Sequence, residues 1–327
     1  MGSKTTIIAR KLDASDQAEW DRLASSYGTV FDSIKWTRMF EPRLQRVGLF
    51  DGGDNLRGGF CIYEQRRFGL RILRNPPFTP QIGPFYESRA TNPAARTDEQ
   101  RAVVEAMADY VDTAGAAVVS MGLSLGIDDC LPFCWRDYKV VPRYTYRITL
   151  QGRSQDEIWK AMSNDRRKNV RRAKKDGLLV EELQETNDIA RLVDNTFARQ
   201  KKSFPRNAMR QLLTSFPKGE KAFGFVSKRG KKPIGGVYVI HDEKTAYYLL
   251  GGYKSDSHHG AGALAMVSAI ERARELGLEV FDFEGSVIPP IEKYFRGFGG
   301  ALTPAFTVNK AFLPLEMGLK LKKRRLF

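Results

Sequence analysis

Two stretches in different halves of the chain share one pattern: VVEAMADYVDTAGAAVVSMG (Val103–Gly122) and MVSAIERARELGLEVFDFEG (Met266–Gly285). In each, apolar residues recur at the helical spacing, which predicts a helix with one buried face. Gly115 and Gly277 then supply a helix C-cap, and the short apolar run that follows predicts a buried strand. The same helix, glycine and strand therefore occur twice.

Two further pairs of segments repeat in the same order around this pattern. Upstream lie GGFCIYEQ (Gly58–Gln65) and GGVYVIHD (Gly235–Asp242), each a glycine pair that enters an apolar strand. Downstream lie FCWRDYKVVPRYTYRITL (Phe133–Leu150) and KYFRGFGGALTPAFTVNK (Lys293–Lys310), which share an aromatic-Arg-x-aromatic motif. Ordered repetition indicates duplication. We predict an α/β protein with a mixed sheet, built from two similar domains at 1–150 and 151–310 and followed by a basic tail at 311–327.

The composition indicates a globular protein with a strong preference for polyanions. The chain has 327 residues, 42% of them hydrophobic, and a formal net charge of +15. No signal peptide or membrane-spanning run is evident, which predicts a cytoplasmic location. The three cysteines suggest reduced thiols, and no residues complete a metal site around Cys130 and Cys134.

The most basic segment is SNDRRKNVRRAKKDG (Ser163–Gly177), with seven basic side chains in fifteen residues. A capping box formed by Ser154 and Glu157, with Gly177 as C-cap, predicts a single helix over 154–176 between the domains. Its apolar stripe consists of Trp159, Met162, Val170 and Ala173.

Arg166 falls within this apolar stripe. A charged residue there must reach a partner or a cleft, because burying an unpaired charge is prohibitive. Arg167 and Arg171 lie in a second row, together with Lys174. Guanidinium groups suit bidentate phosphate binding, so this helix is predicted to form one wall of a cleft.

Several segments together resemble the Fem family of aminoacyltransferases and the tandem-domain proteins of the GNAT superfamily. They are RKNVRRAKKDG (Arg167–Gly177), GGVYVI (Gly235–Ile240), YYLLGG (Tyr247–Gly252), FDFEGS (Phe281–Ser286) and YFRGFGG (Tyr294–Gly300). The resemblance implies two tandem GNAT-like acyl-CoA N-acyltransferase domains. It also implies transfer of an aminoacyl or acyl group, from aminoacyl-tRNA or acyl-CoA, to an amine of a peptidoglycan or other cell-envelope precursor.

The resemblance also implies site residues. A basic residue beside the tryptophan of an N-terminal helix matches Arg38, and a basic residue of the interdomain helix matches Arg167 or Arg171. A lysine that follows phenylalanine in the family is Arg296 here. Since arginine cannot act as a base near neutral pH, we assign Arg296 to stabilising negative charge in the reaction.

A glycine-rich segment is a candidate for donor binding. SHHGAGALAM (Ser257–Met266) precedes a predicted helix, and backbone N–H groups at a helix N-terminus bind phosphates. Gly260 and Gly262 would therefore hold the phosphates of an acyl-CoA, or else form an ordinary glycine-rich helix start. No tightly bound cofactor is predicted.

The strand end FDFEG supplies the candidate acids. Asp282 and Glu284 alternate on one face of the strand, so that one could take a proton from the attacking amine; Asp282 is favoured for positioning. Tyr247 lies on the preceding strand, where its phenol could hydrogen-bond substrate or pack in the core.

Two classes of function remain open from the sequence. One is an N-acyltransferase acting on a phosphorylated or lipid-linked amine; the other is a non-catalytic tRNA-binding module that uses the basic helix, which is disfavoured because no nucleic-acid-binding signature is present. The terminal segment GLKLKKRRLF (Gly318–Phe327) fits either docking at the anionic inner face of the membrane or a disordered, solvated tail, and we favour the tail.

Overall fold

The computed structural model describes residues 6–199, 204–254, 258–285 and 288–326, without the side chains of Arg199 and Lys323. These residues form two compact units. The first comprises the chain up to Arg143 together with the residues from Pro304 onward. The second comprises Tyr144–Thr303. Each unit has its own hydrophobic core, one centred on residues such as Trp20 and the other on residues such as Phe281.

The elements follow one another as expected for an α/β chain. In the first part these are β1 (Ile7–Lys11), α1 (Gln17–Tyr27), α2 (Ile34–Arg38), β2 (Leu44–Asp51), β3 (Leu56–Arg67), β4 (Leu70–Arg74), β5 (Phe85–Tyr86), α3 (Pro93–Thr113), β6 (Val118–Gly122), α4 (Leu131–Cys134) and β7 (Lys139–Thr149). Then come α5 (Gln155–Ala161), α6 (Asn164–Lys175), β8 (Leu179–Glu182), α7 (Thr186–Arg199), α8 (Arg206–Ser215), β9 (Ala222–Arg229), β10 (Lys232–His241), β11 (Thr245–Tyr253), α9 (Ala261–Glu275), β12 (Val280–Asp282), α10 (Pro289–Arg296), β13 (Ala301–Ala311) and α11 (Leu313–Lys323).

The predicted duplication is confirmed by the strand pairing. In the first unit β1, β2, β3 and β4 pair antiparallel in sequence, and β4 then pairs parallel with β6. In the second unit β8, β9, β10 and β11 do the same, and β11 pairs parallel with β12. The helix α3 precedes β6 in the first unit, as α9 precedes β12 in the second.

The last strand of each sheet comes from a segment that crosses the unit boundary. Residues 307–311 of β13 pair antiparallel with β6 in the first unit. Residues 147–149 of β7 pair antiparallel with β12 in the second. Thus each sheet is completed by a strand that the repeat pattern assigns to the opposite half.

The single helix predicted over 154–176 is wrong, because the structure has two helices there. The capping box of Ser154 and Glu157 begins α5 as predicted. The backbone is extended at Met162 and Ser163, and the Ser163 side chain then caps α6 by accepting from the N–H of Arg166. The N–H of Ser163 donates to the carbonyl of Gly297, which holds the break in place.

The C-terminal segment is helical over Leu313–Lys323, so the favoured expectation of a disordered tail is wrong for the described residues; Phe327 lies outside them. This helix is α11, and Leu315 and Leu319 pack beside Ile72 in a small apolar cluster of the first unit. No helix among the residues that the structure describes is long and apolar enough to cross a membrane.

Candidate functional site

The sheet of the second unit opens between two parallel strands. β11 and β12 pair only over Thr245–Tyr247 and Val280–Asp282, whereas β11 continues to Tyr253. On its other edge β11 pairs with β10 along its whole length, with one extra residue, Leu249, at a β-bulge. Bulges are common next to active sites, where they redirect the backbone. We call the space beside residues 248–253, past the end of the β11–β12 pairing, the β11–β12 opening.

The first unit fills the corresponding place with its own proline-rich loop. β4 ends at Arg74, and the chain then returns beside β6, where the N–H of Ile82 donates to the carbonyl of Gly122. The N–H of Gly122 donates to Asn75 Oδ1, and an ideal Cβ at Gly122 would lie 2.4 Å from the carbonyl oxygen of Pro80. Of the two repeats, the second therefore has the opening.

Asp282 ends β12 and its carboxylate is held by several donors. Its Oδ1 accepts hydrogen bonds from Thr145 Oγ1 at 2.5 Å and from the N–H of Glu284 at 2.9 Å. Arg147 Nε lies 3.2 Å from Oδ2 and forms an ion pair. The side chain of Asp282 is buried. These contacts suit the positioning role that the sequence analysis favoured for Asp282.

Glu284 lies just past the end of β12 in a left-handed backbone conformation, with φ of +58°. Few residues other than glycine adopt this conformation, and those that do cluster at functional sites. Gly285 continues the turn at φ +72°, and a Cβ there would overlap the carbonyl oxygen of Tyr144. The sequence signals only the Glu-Gly pair after a strand. In the structure the N–H of Glu284 donates to Asp282, and the neighbouring Phe283 donates its N–H to the carbonyl of Tyr146 on β7.

Two tyrosines lie on β11 at the start of the opening. Tyr247 is buried and donates a hydrogen bond to Asp242 Oδ2 at 2.8 Å; burial raises its pKa well above the usual value. Tyr248 also has a pKa raised by burial, and a Cβ at Gly251 would overlap its hydroxyl. Both phenols are therefore neutral hydrogen-bonding groups rather than bases near neutral pH.

The arginines of α6 have different surroundings. The Arg166 guanidinium lies 4.3 Å from the ring centroid of Tyr294 and 5.1 Å from that of Phe298, and burial lowers its pKa. Arg167 Nη1 donates weakly to the carbonyl of Lys160. The Nε atoms of Arg166 and Arg167 are buried and make no hydrogen bond within the described residues. Arg171 lies 5.8 Å from the ring centroid of Trp159.

The first turn of α9 is covered by α6. An ideal Cβ at Gly260 would lie 2.2 Å from the carbonyl oxygen of Asn169. The N–H of Gly260 donates to His258 Nδ1, while His258 Nε2 lies 2.9 Å from Asp176 Oδ2 and lowers the pKa of that carboxyl. Gly262 faces Tyr294, whose hydroxyl would be 3.3 Å from a Cβ there. The N–H group of Gly260 thus already donates a hydrogen bond within the chain.

The two arginines of the repeated aromatic motif each pair with an acid. Arg296 ends α10 with its side chain 61% exposed, and its Nε lies 3.1 Å from Glu292 Oε1, which also accepts a hydrogen bond from Tyr146. Its first-half counterpart Arg136 pairs with Asp109 at 2.6 Å. The role of Arg296 in the reaction stays a prediction.

The candidate residues are distributed over both units. Arg38 ends α2 in the first unit, where its Nη2 donates to Gln17 Oε1 at 3.5 Å. The other candidates lie in the second unit. Tyr247 and Asp282 are register partners at the end of the β11–β12 pairing. Arg166 and Gly262 both lie against Tyr294.

Comparison with known proteins agrees with this architecture. Residues 161–296 match the model of the acetyltransferase (GNAT) domain. No curated protein sequence matches the chain significantly. Among solved structures, FemX has a TM-score of 0.67 at 12% identity and covers 96% of this chain and 99% of its own.

Two other structures are similar over comparable lengths. The C-terminal domain of a putative lysylphosphatidylglycerol synthetase from Agrobacterium fabrum has a TM-score of 0.58 at 12% identity, over 94% of this chain and 95% of its own. A tandem GNAT protein from the clavulanic acid biosynthesis pathway has a TM-score of 0.53 at 10% identity, over 93% of this chain and 97% of its own. The chain therefore shares its fold with FemX and with a tandem GNAT protein, and the match of residues 161–296 to the acetyltransferase (GNAT) domain indicates an N-acyltransferase.

Proposed function

We propose that the second unit transfers an aminoacyl or acyl group to an amine in the β11–β12 opening. The observation that carries the proposal is the short pairing of β11 with β12 beside the bulge at Leu249. Beyond Tyr247 the backbone of β11 has no β12 partner, and we propose that an N–H group of this segment before Tyr253, whose own N–H donates to Thr196 Oγ1, donates to the carbonyl oxygen of a donor. Preorganised donors of this kind stabilise the oxyanion of acyl transfer.

Glu284 is the residue that we propose as proton acceptor. The amine nitrogen attacks the donor carbonyl carbon, the bond to the leaving oxygen or sulfur breaks, and the amine gives up a proton. Asp282 accepts the N–H of Glu284, so the turn that carries this carboxylate is fixed. The phenol of Tyr248 is neutral and can donate to the substrate or the leaving group, whereas the hydroxyl of Tyr247 already donates to Asp242 Oδ2.

The surroundings of α9 favour aminoacyl-tRNA as donor. GNAT domains in general use acyl-CoA, and the pyrophosphate of that donor suits open N–H groups at a helix N-terminus. Here the Gly260 N–H is bound by His258, and Asn169 lies against Gly260. The net charge of +15 favours a polynucleotide donor. Acyl-CoA remains the second candidate because the GNAT domain model matches residues 161–296.

We propose an anionic acceptor amine, such as that of a peptidoglycan or other cell-envelope precursor. The support is the group of arginines on α6, Arg166, Arg167 and Arg171, none of which forms an ion pair within the described ranges, and the similarity to FemX. By the resemblance, Arg38 and either Arg167 or Arg171 correspond to basic positions of the Fem family, and we propose that they bind acceptor phosphates. A role restricted to binding tRNA would not explain the β11–β12 opening.

The experiment is a transfer assay with the purified full chain. Charged tRNA with a radiolabelled amino acid, or radiolabelled acetyl-CoA, is incubated with a UDP-linked muropeptide precursor. The control acceptor is the same precursor with its amine acetylated. We expect label to move from charged tRNA to the free amine alone. Transfer from acetyl-CoA instead would overturn the choice of donor, and transfer from neither would overturn the proposed function.

A further inference from the structure

An exposed phenylalanine lies at the tip of the β3–β4 hairpin in the first unit. Phe68 is 90% exposed and has φ of +52°, and Gly69 follows with φ of +75°. This position disfavours a bulky residue on two grounds. The left-handed conformation strains its backbone, and most of its ring faces water, with the Arg67 guanidinium 5.3 Å from the ring centroid. An asparagine or a glycine would avoid both costs. We therefore expect the Phe68 side chain to contact an apolar surface that lies outside this chain.

A second apolar feature is the outer face of α11. Leu315 and Leu319 pack onto the first unit. Leu313, Met317 and Leu321 form the other row at a spacing of four, with exposures of 74%, 62% and 89%. Basic residues accompany this row, and those that the structure shows as exposed are Lys320, Lys322, Arg324 and Arg325. A helix with one apolar row and flanking cations fits the surface of an anionic bilayer.

Both features lie at the same end of the sheet. The N–H of Ala117 donates to the carbonyl of Arg71 on β4, and the N–H of Phe312 donates to the carbonyl of Ala117. The start of α11 is thus joined through β6 to the first residues of β4. The hairpin tip at Phe68 immediately precedes these residues.

A basic groove of about 870 Å³ opens beside the hairpin. Its wall includes Arg43, Arg66, Arg67 and Arg71. Glu64 accepts hydrogen bonds from Arg66 and Arg71. The guanidinium groups of Arg43 and Arg67 form no ion pair with the described residues. They can therefore bind lipid phosphates at the level where Phe68 would enter the bilayer.

We propose that this end of the first unit docks on an anionic phospholipid bilayer. The docking end consists of Phe68, the basic groove residues Arg43 and Arg67, and the exposed row Leu313, Met317 and Leu321. Phe68 and the α11 row would enter the interface, while the arginines would bind headgroup phosphates. Charge complementarity selects the bilayer over a neutral protein partner. An RNA would use the arginines but leave the aliphatic row in water.

The experiment is co-sedimentation of the full chain with vesicles of phosphatidylcholine, with and without phosphatidylglycerol. We expect binding to the anionic vesicles and little to the neutral ones. Phe68→Asn combined with Leu321→Gln should lower the partition coefficient by about tenfold or more, since apolar area no longer leaves water. Arg43→Gln with Arg67→Gln should lower it by about 25-fold at low salt, at roughly fivefold for each charge.

The controls separate docking from folding and from catalysis. Leu179→Thr removes an exposed leucine in the second unit and should bind vesicles as the wild type does. Phe68→Asn should melt no lower than the wild type, because asparagine tolerates the left-handed conformation, and its acyl transfer to a water-soluble acceptor should be unchanged. Equal binding to both vesicle types, wild-type binding by the Phe68→Asn/Leu321→Gln variant, or binding of tRNA without binding of vesicles would overturn the proposal.

Discussion

Asp282 shows how one buried carboxylate orders its surroundings. Thr145 and the Glu284 backbone share its Oδ1, and Arg147 lies at Oδ2. Thr145→Val keeps the shape of the side chain but removes one donor. We expect the free energy of unfolding to fall by about 1–3 kcal/mol, as for other partners of buried polar groups. Turnover should fall while the KM of the donor stays unchanged, because the Glu284 turn would be held less firmly. A drop in stability with wild-type turnover would limit Asp282 to a structural role.

A substitution at Arg166 can separate a role in acceptor binding from a role in protein stability. Its guanidinium lies on Tyr294 and Phe298 and is partly desolvated. In Arg166→Met an unbranched apolar side chain can still pack on these two rings, and a partly desolvated charge that forms no ion pair within the described residues is removed. We expect an unchanged or higher Tm, and an acceptor KM raised by about 10- to 100-fold through loss of a charge-assisted hydrogen bond. The exposed Lys168→Met is the matched control on the same helix. A lower Tm with unchanged KM would make Arg166 a packing residue.

Arg296 and its counterpart Arg136 can be compared directly. Each pairs with one acid, Glu292 or Asp109, at the surface. If Arg296 stabilises negative charge in the reaction, Arg296→Ala should lower turnover by about two to three decades, and Arg136→Ala should leave it unchanged. Measured kcat for the two variants decides between these roles. If Arg296→Ala and Arg136→Ala have equal turnover, Arg296 does not stabilise charge in the reaction.

At the scale of elements, the helices α5 and α6 illustrate what local sequence can predict. The capping box at Ser154 and the end near Gly177 follow from local hydrogen bonding, and both were predictable. The break at Met162 was missed, although Ser163 with Asp165 forms a second helix-start signal. The apolar spacing continues across the break, and the contact that holds it is the distant carbonyl of Gly297. Contacts between residues far apart in the chain cannot be predicted from the local spacing of apolar and capping residues.

The capping box also has a pH dependence. Hydrogen bonds from Ser154 lower the pKa of Glu157. A carboxyl whose pKa is lowered on folding adds stability above its unfolded pKa, and this stability is lost as the pH falls through the folded value. Ser154→Ala should therefore lower the Tm by about 2–4 °C at neutral pH. The difference from wild type should shrink below about pH 4. A Tm difference that is the same at pH 3 and pH 7 would contradict the role of Glu157.

At the scale of the whole molecule, the sequence predicted the duplication but not the difference between its copies. Repeated helix, glycine and strand segments are visible as patterns. The opening depends on where the pairing of β11 with β12 stops, and on the loop from Asn75 to Gly83 that fills the matching place in the first unit. Pairing registers and loop paths are tertiary features. The same holds for β7 and β13, whose partners belong to the opposite repeat.

The central claim is that acyl transfer takes place in the β11–β12 opening with Glu284 as proton acceptor. The most direct test is the single-turnover rate of label transfer from charged tRNA by Glu284→Gln, with the exposed Glu275→Gln as matched control. The account predicts a rate lower by about 10²–10⁴-fold for Glu284→Gln at an unchanged Tm, and a wild-type rate for Glu275→Gln. A wild-type rate for Glu284→Gln in the folded protein would contradict it.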